Sequence, residues 1–259
     1  MPLGIRESGP LANPTIVFLH GGGVSGWMWQ PQVEQLTDYH CLVPDLPEHG
    51  RSIAEKPFTI KDTVARVTEL VRTRAHDGRA HLVGLSLGAQ TAVQLLSTAP
   101  EVVDHAIVSG TLVRPIRGAG MLGLIAKMYM PFKDIGFLVW ANTKSAGIPA
   151  QYLAEVRHDT RLLTADSFAH IMSENARFRI PAGLGGVQVP TLVMVGQKEP
   201  RVVHESARDL LAVLPNAQGY VVANLGHPWN LQAPDLFARV VRAWINDKPL
   251  PQEALEAIK

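Results

Sequence analysis

The stretch Ala80-His81-Leu82-Val83-Gly84-Leu85-Ser86-Leu87-Gly88 decides the fold. It begins as a continuous apolar run of strand length and then passes through two glycines around a single serine. From Ala89 to Ala99 it turns helical. A strand that feeds a helix through so short a turn is a joint of an open α/β sheet. A serine held there projects at the C-terminal edge of the sheet, where such sheets carry their sites. The bare pattern G-x-S-x-G is common, and a serine capping a helix in a glycine-rich turn would look the same. The strand before it and the helix after it are what make it a candidate nucleophile turn.

The same alternation extends in both directions. Thr15–Leu19, His40–Pro44, His105–Ser109, Thr191–Val195 and Gly219–Val222 read as further strands. Thr59–Ala75, Val203–Leu214 and Ala233–Asn246 place apolar residues at helical spacing. Unbroken apolar strands alternating with helices predict a mostly parallel sheet covered on both faces. The alternation breaks between Thr111 and Val187. Short helices are expected there, over Met121–Met130, Ile135–Ala141, Ala150–Arg157 and Ala165–Ala176, punctuated by glycine and proline. Residues 1–110 and 188–259 are therefore read as the core domain, with 111–187 as an inserted helical cap. The span is too long for a single crossover.

Composition sets the outer bounds. A chain of 259 residues with 46 % hydrophobic residues is long enough to bury a full core. The 24 basic and 23 acidic side chains leave a net charge of +1, which argues against nucleic-acid binding. A single cysteine, Cys41, excludes an intrachain disulfide and cysteine-based metal sites. Met1 to Glu7 lacks the basic and apolar regions of a signal peptide, and no apolar run approaches the ~20 residues that span a bilayer. A soluble cytoplasmic protein is the expectation. Its oligomeric state is left open, a homodimer being one option.

Three further stretches carry chemistry. His20-Gly21-Gly22-Gly23 ends a strand and exposes backbone N–H groups that could hold a developing oxyanion. A phosphate loop would need a G-K-[ST] that does not follow. Gly196-Gln197-Lys198-Glu199-Pro200 follows the fifth strand, and Gly226-His227-Pro228-Trp229 follows the sixth. Glu199 could be a turn residue and His227 a surface histidine. With Ser86 they fall in the chain order Ser, acid, His.

Taken together, these residues resemble the α/β-hydrolase family, in its serine-esterase-like branch with a helical cap. Leu19-His20-Gly21 with Trp27 and Trp29 is similar to the family's oxyanion loop. Asp45-Leu46-Pro47-Glu48-His49-Gly50-Arg51-Ser52 is similar to its D-x-x-x-H-G-x-S turn. The chain departs from the pattern at Leu85, where histidine is frequent, at Glu199, where aspartate is usual, and at Gln232, where glutamate is frequent. Only Gly4–Ser8 could supply an edge strand before Thr15, so an early strand is expected to be missing or reduced.

The resemblance implies Ser86 as nucleophile, His227 as base and Glu199 as the acid. The N–H of Leu87 and of Gly22 would hold the oxyanion, with Gly23 as alternative to Gly22. No metal or organic cofactor is implied. Apolar residues of the cap (Met121, Leu122, Leu124, Ile125, Met128, Tyr129, Met130, Phe132, Phe137, Leu138, Val139 and Trp140) would fill its core and roof the site. Gly23, Trp140 and Trp229 are expected along the substrate pocket. The activity so implied is hydrolysis of a small, largely apolar carboxylic ester. Carbon–carbon bond hydrolysis of a diketone or ring-cleavage product, cofactor-free perhydrolase or haloperoxidase-like chemistry, and a ligand receptor on the same fold remain alternatives.

Overall fold

The computed structural model describes residues 3–116, 128 and 130–258. Eight strands, β1 (Ile5–Ser8), β2 (Thr15–Leu19), β3 (His40–Pro44), β4 (Ala80–Leu85), β5 (Val103–Ser109), β6 (Thr191–Gly196), β7 (Ala217–Val222) and β8 (Leu255–Ala257), form one sheet. Their order is β1-β3-β2-β4-β5-β6-β7-β8. Strands β2 to β7 are parallel, and the two edge strands β1 and β8 run antiparallel to their neighbours. One strand precedes Thr15, as its short leader allows. The eighth comes from the other end of the chain, where three residues give no readable pattern.

Among the described residues the helices with defined bounds are α1 (Gln30–Val33), α2 (Ile60–Arg74), α3 (Leu87–Thr98), α4 (Gly136–Ser145), α5 (Leu153–Leu162), α6 (Ala165–Arg177), α7 (Arg201–Val213), α8 (Trp229–Gln232) and α9 (Pro234–Ile245). Successive residues of a strand point to opposite faces, and both faces of β2 are dry. Val17 and Leu19 join α2, α3 and α7 in one apolar cluster. Ile16 and Phe18 join Trp29, Trp229 and α9 in the other. This double burial is why the strands carry unbroken apolar runs.

Between β5 and β6 the described residues hold helices and turns and no strand. The helix expected over Met121–Met130 lies largely outside the described residues. Of the apolar residues expected to fill this insertion, Val139 is buried, whereas Met128, Phe132, Phe137 and Trp140 are exposed. No helix among the described residues is long and apolar enough to cross a membrane.

The sheet changes winding direction at β2. From β2 the chain steps to β3 on one side, then returns to β4 on the other, so the C-terminal ends of β2 and β4 meet at a switch point. Helix α3 starts there. A Cβ on Gly88 would lie 2.0 Å from the Leu19 carbonyl oxygen, so only glycine lets the helix close onto β2.

At the other end of the strands His81 and His105 face each other, ring centroids 5.2 Å apart. Burial, and then the neighbouring His105, push the His81 pKa down from 6.5 to about 4, against the opposing pull of Asp104 and Asp247. Between those values the unfolded chain binds a proton that the folded chain refuses. His81 therefore takes nothing from stability above pH 6.5 and lowers it progressively as the pH falls towards 4. Urea unfolding from pH 7 to 4 should show this, and His81→Gln should lose less. Through the window the gap between the two should close by up to about 1.4 kcal/mol per pH unit. Parallel curves would rule out His81 as a source of acid lability.

Candidate active site

Ser86 sits at the sharp turn between β4 and α3 with φ 57° and ψ −115°, a conformation a serine adopts only when its surroundings enforce it. Its N–H donates to the Ser109 carbonyl on β5 (2.9 Å), and its own carbonyl accepts from Gln90 N–H (3.0 Å). The side chain is thus carried on two neighbouring strands and a helix.

Glu199 and His227 come from the loops after β6 and β7. His227 Nδ1 lies 2.6 Å from Glu199 Oε2. The other carboxylate oxygen accepts from Gly196 N–H (3.0 Å). The glutamate thus folds back onto the end of its own strand, which absorbs the methylene it has beyond aspartate. Its carboxylate is fully buried, and the imidazole is partly exposed. Gly110 makes the space for this pair. It has φ +60°, and a Cβ there would lie 2.7 Å from two His227 ring atoms and 3.1 Å from Glu199 Oε2. The loop after β5, Gly110-Thr111-Leu112-Val113-Arg114, carries no acid; what it contributes is this missing side chain.

The glycine-rich turn after β2 is set by two buried histidines. Leu46 N–H donates to His20 Nε2 (2.9 Å), so the His20 proton is on Nδ1, which donates to the Gly21 carbonyl (2.8 Å). Gly23 N–H donates to His49 Nε2 (3.1 Å), and His49 Nδ1 donates to the Pro47 carbonyl (2.8 Å). Burial lowers the pKa of both rings, that of His49 to about 3. Two neutral imidazoles of one tautomer therefore hold the loop. The D-x-x-x-H-G-x-S turn backs them: Asp45 accepts from Gly26 N–H (2.7 Å) and Arg51 N–H (2.8 Å). With Gly23 N–H taken by His49, Gly22 N–H is the free donor among the described residues of this turn. Leu87 N–H, in the first turn of α3, has no intrahelical partner either.

Two cavities meet at Ser86 and His227. One, of about 120 Å³, is lined by Gly21, Gly22, Trp27, Met28, Leu85, Ile148 and Leu231, among others. The other is an open cleft of about 800 Å³ with mixed walls, polar at Ser145, Asn175, Lys198 and Asn224 and apolar at Leu112, Pro200, Val203 and Leu225. Ala146, at the end of α4, lines both, so the segment between β5 and β6 borders the space at Ser86. Gln232 ties it to the histidine loop: its Oε1 accepts from Gly226 N–H (2.9 Å) and its Nε2 donates to the Gly147 carbonyl (2.7 Å). A glutamate could not make the second bond.

Gly23, Trp140 and Trp229, expected along the pocket, line neither cavity. Trp229 is fully buried, its Nε1 donating to Ser109 Oγ (2.8 Å). Trp140 is 44 % exposed and lies beside Phe137 and under Lys144. Among the described residues no cluster of three or more His, Cys, Asp or Glu could hold a metal ion.

Comparison with known proteins places the chain in a family. Residues 16–240 match the family model described as alpha/beta hydrolase family. An AB hydrolase superfamily protein of Gibberella zeae is 31 % identical over 92 % of this chain and 82 % of its own length. A carboxylesterase of Bacillus subtilis, YbfK, is 26 % identical over 89 % of this chain and 80 % of its own. Among solved structures, the enol-lactonase of Burkholderia xenovorans LB400 superposes with a TM-score of 0.78 at 23 % identity, covering 94 % of this chain and 96 % of that one. That last likeness is one of fold. The chain belongs to the alpha/beta hydrolase family and is a hydrolase by class.

Gly110→Ala should leave the sheet intact and push His227 off Glu199. Turnover should fall about 100-fold, the cost of misplacing a catalytic group by about an ångström. Activity within threefold of wild type, with unchanged far-UV circular dichroism, would show that Gly110 does not set the position of the pair.

Proposed function

We propose that this chain hydrolyses a small carboxylic ester through an acyl-enzyme on Ser86. The observation that carries the reading is the 2.6 Å contact of His227 Nδ1 with Glu199 Oε2, made by a histidine that shares both cavities with a strained serine. With Nδ1–H donating to the carboxylate, Nε2 is left as the basic atom.

His227 Nε2 takes the Ser86 hydroxyl proton as Oγ attacks the acyl carbon. The Gly22 and Leu87 N–H groups receive the carbonyl oxygen as it becomes an oxyanion. His227 then protonates the departing alcohol, and a water molecule repeats the sequence to release the acid. Glu199 holds the imidazole in one tautomer and stabilises the imidazolium. The insertion over residues 111–187 acts as a cap, with Ala146 and Ile148 closing the apolar cavity. The chemistry needs no cofactor, and its partner is a small acyl compound. The similarity to a carboxylesterase supports this substrate class.

Ser86→Ala should retain the fold and lose nearly all hydrolysis of p-nitrophenyl acetate; in a serine protease the equivalent loss is on the order of 10⁶. Glu199→Gln should reduce kcat by up to ~10⁴, since an amide cannot stabilise the imidazolium. Near-normal turnover in either variant would refute the assignment of that residue.

A further inference from the structure

The small cavity beside Ser86 shares one side chain with a second pocket. Trp27 is 7 % exposed and lines that cavity together with Gly21 and Gly22. It also lines a second pocket of about 520 Å³ on its other side, among Arg6, Arg51, Glu155 and Asp159. Trp27 is the one described residue common to both, so its indole is the partition between them.

The partition is held from the cap. Trp27 Nε1 donates to Asp159 Oδ2 (2.7 Å), and Ser25 Oγ donates to Asp159 Oδ1 (3.1 Å). Asp159 lies on α5, more than 130 positions along the chain, and is 5 % exposed. Tyr152, just before α5, stacks on the indole at 5.6 Å and 28°. A buried carboxylate that places both oxygens on one turn of a distant segment is an orienting device. That turn directly follows the glycine-rich loop of the site.

We propose that Asp159 is a positioning residue that pins Trp27 across the end of the acyl cavity, so that the enzyme accepts acyl groups of about two to four carbons. The proposal rests on the reading of Ser86 as nucleophile. The size follows from the volume: a dry apolar cavity of about 150 Å³ admits benzene, and this one is smaller. The acyl chain is assigned to it because Gly22, the expected oxyanion donor, forms part of its wall, which places the carbonyl at its mouth. The alcohol half then lies in the open cleft, where solvent reaches it. Removing the carboxylate leaves the indole with a buried N–H that has no acceptor. The ring is then free to turn, and the cavity opens towards the second pocket.

The test measures kcat/KM over two substrate series. One varies the acyl chain of p-nitrophenyl esters from acetate to decanoate; the other varies the alcohol of acetate esters over the same lengths. In the wild type, kcat/KM should fall at least tenfold between butanoate and octanoate in the acyl series, with no matching cut-off in the alcohol series. Asp159→Ala and Trp27→Ala should each raise the octanoate-to-acetate ratio at least tenfold. Asp159→Asn, which keeps an acceptor for Nε1, should stay within threefold of wild type. Val108→Ala, a core variant outside the site, should lower Tm without moving the ratio, which separates positioning from stability. A wild type that cleaves octanoate as well as acetate, a cut-off confined to the alcohol series, or ratios unmoved in both the Asp159→Ala and Trp27→Ala variants would overturn the proposal while leaving the Ser86 reading intact. No turnover in either series would overturn that reading and, with it, this one.

Discussion

The contact of the first turn of α3 with the end of β2 is the constraint on which the rest of the site depends. A methyl group on Gly88 would overlap the Leu19 carbonyl. Because glycine is there, the helix begins against the neighbouring strand, and the turn between β4 and α3 must bend through a conformation a serine rarely adopts. The contact also puts the unpaired N–H groups at the start of α3 beside the glycine turn that leaves β2. The candidate nucleophile and the candidate oxyanion donors are thereby positioned by backbone packing, before any side chain is chosen.

The groups around that point are fixed by histidines and carboxylates of contrasting kinds. His20 and His49 are buried, neutral and committed to backbone partners on both nitrogens. They serve as struts. His227 commits only Nδ1, to Glu199, and stands at the junction of two cavities. The same residue type thus serves as scaffold when both nitrogens are bonded and as a candidate base when one is left over. The carboxylates divide likewise: Asp45 and Asp159 hold loops, and Glu199 faces the imidazole.

Much of this was legible in the sequence because full burial leaves an unambiguous mark. Strands β2, β3 and β4 end where their apolar runs end. β7 reaches back to Ala217, two residues before its readable part, since its first residues are half-exposed and mixed in character. β8, three residues long, carries no period at all. At the candidate site, that Ser86, Glu199 and His227 come together was legible from motif and order. The contributions of Gly110, His49 and Asp159 were not, because each acts across a long separation in sequence. A glycine whose value is an absent Cβ, or an aspartate that holds an indole 132 positions away, leaves no local pattern. The tryptophans show the same limit. Residue type marks Trp229 and Trp140 as apolar, but it is Ser109 that turns one into the core, while the other lies out on the surface of the insertion.

The central claim is that one serine, held by this turn, is the nucleophile. Treating the folded protein with a fluorophosphonate and mapping the adduct by peptide mass spectrometry tests it directly. The account predicts a single phosphonyl group on the peptide containing Ser86, absent from the Ser86→Ala variant. An adduct on Ser25 or Ser52 instead, or no labelling of the native protein, would contradict it.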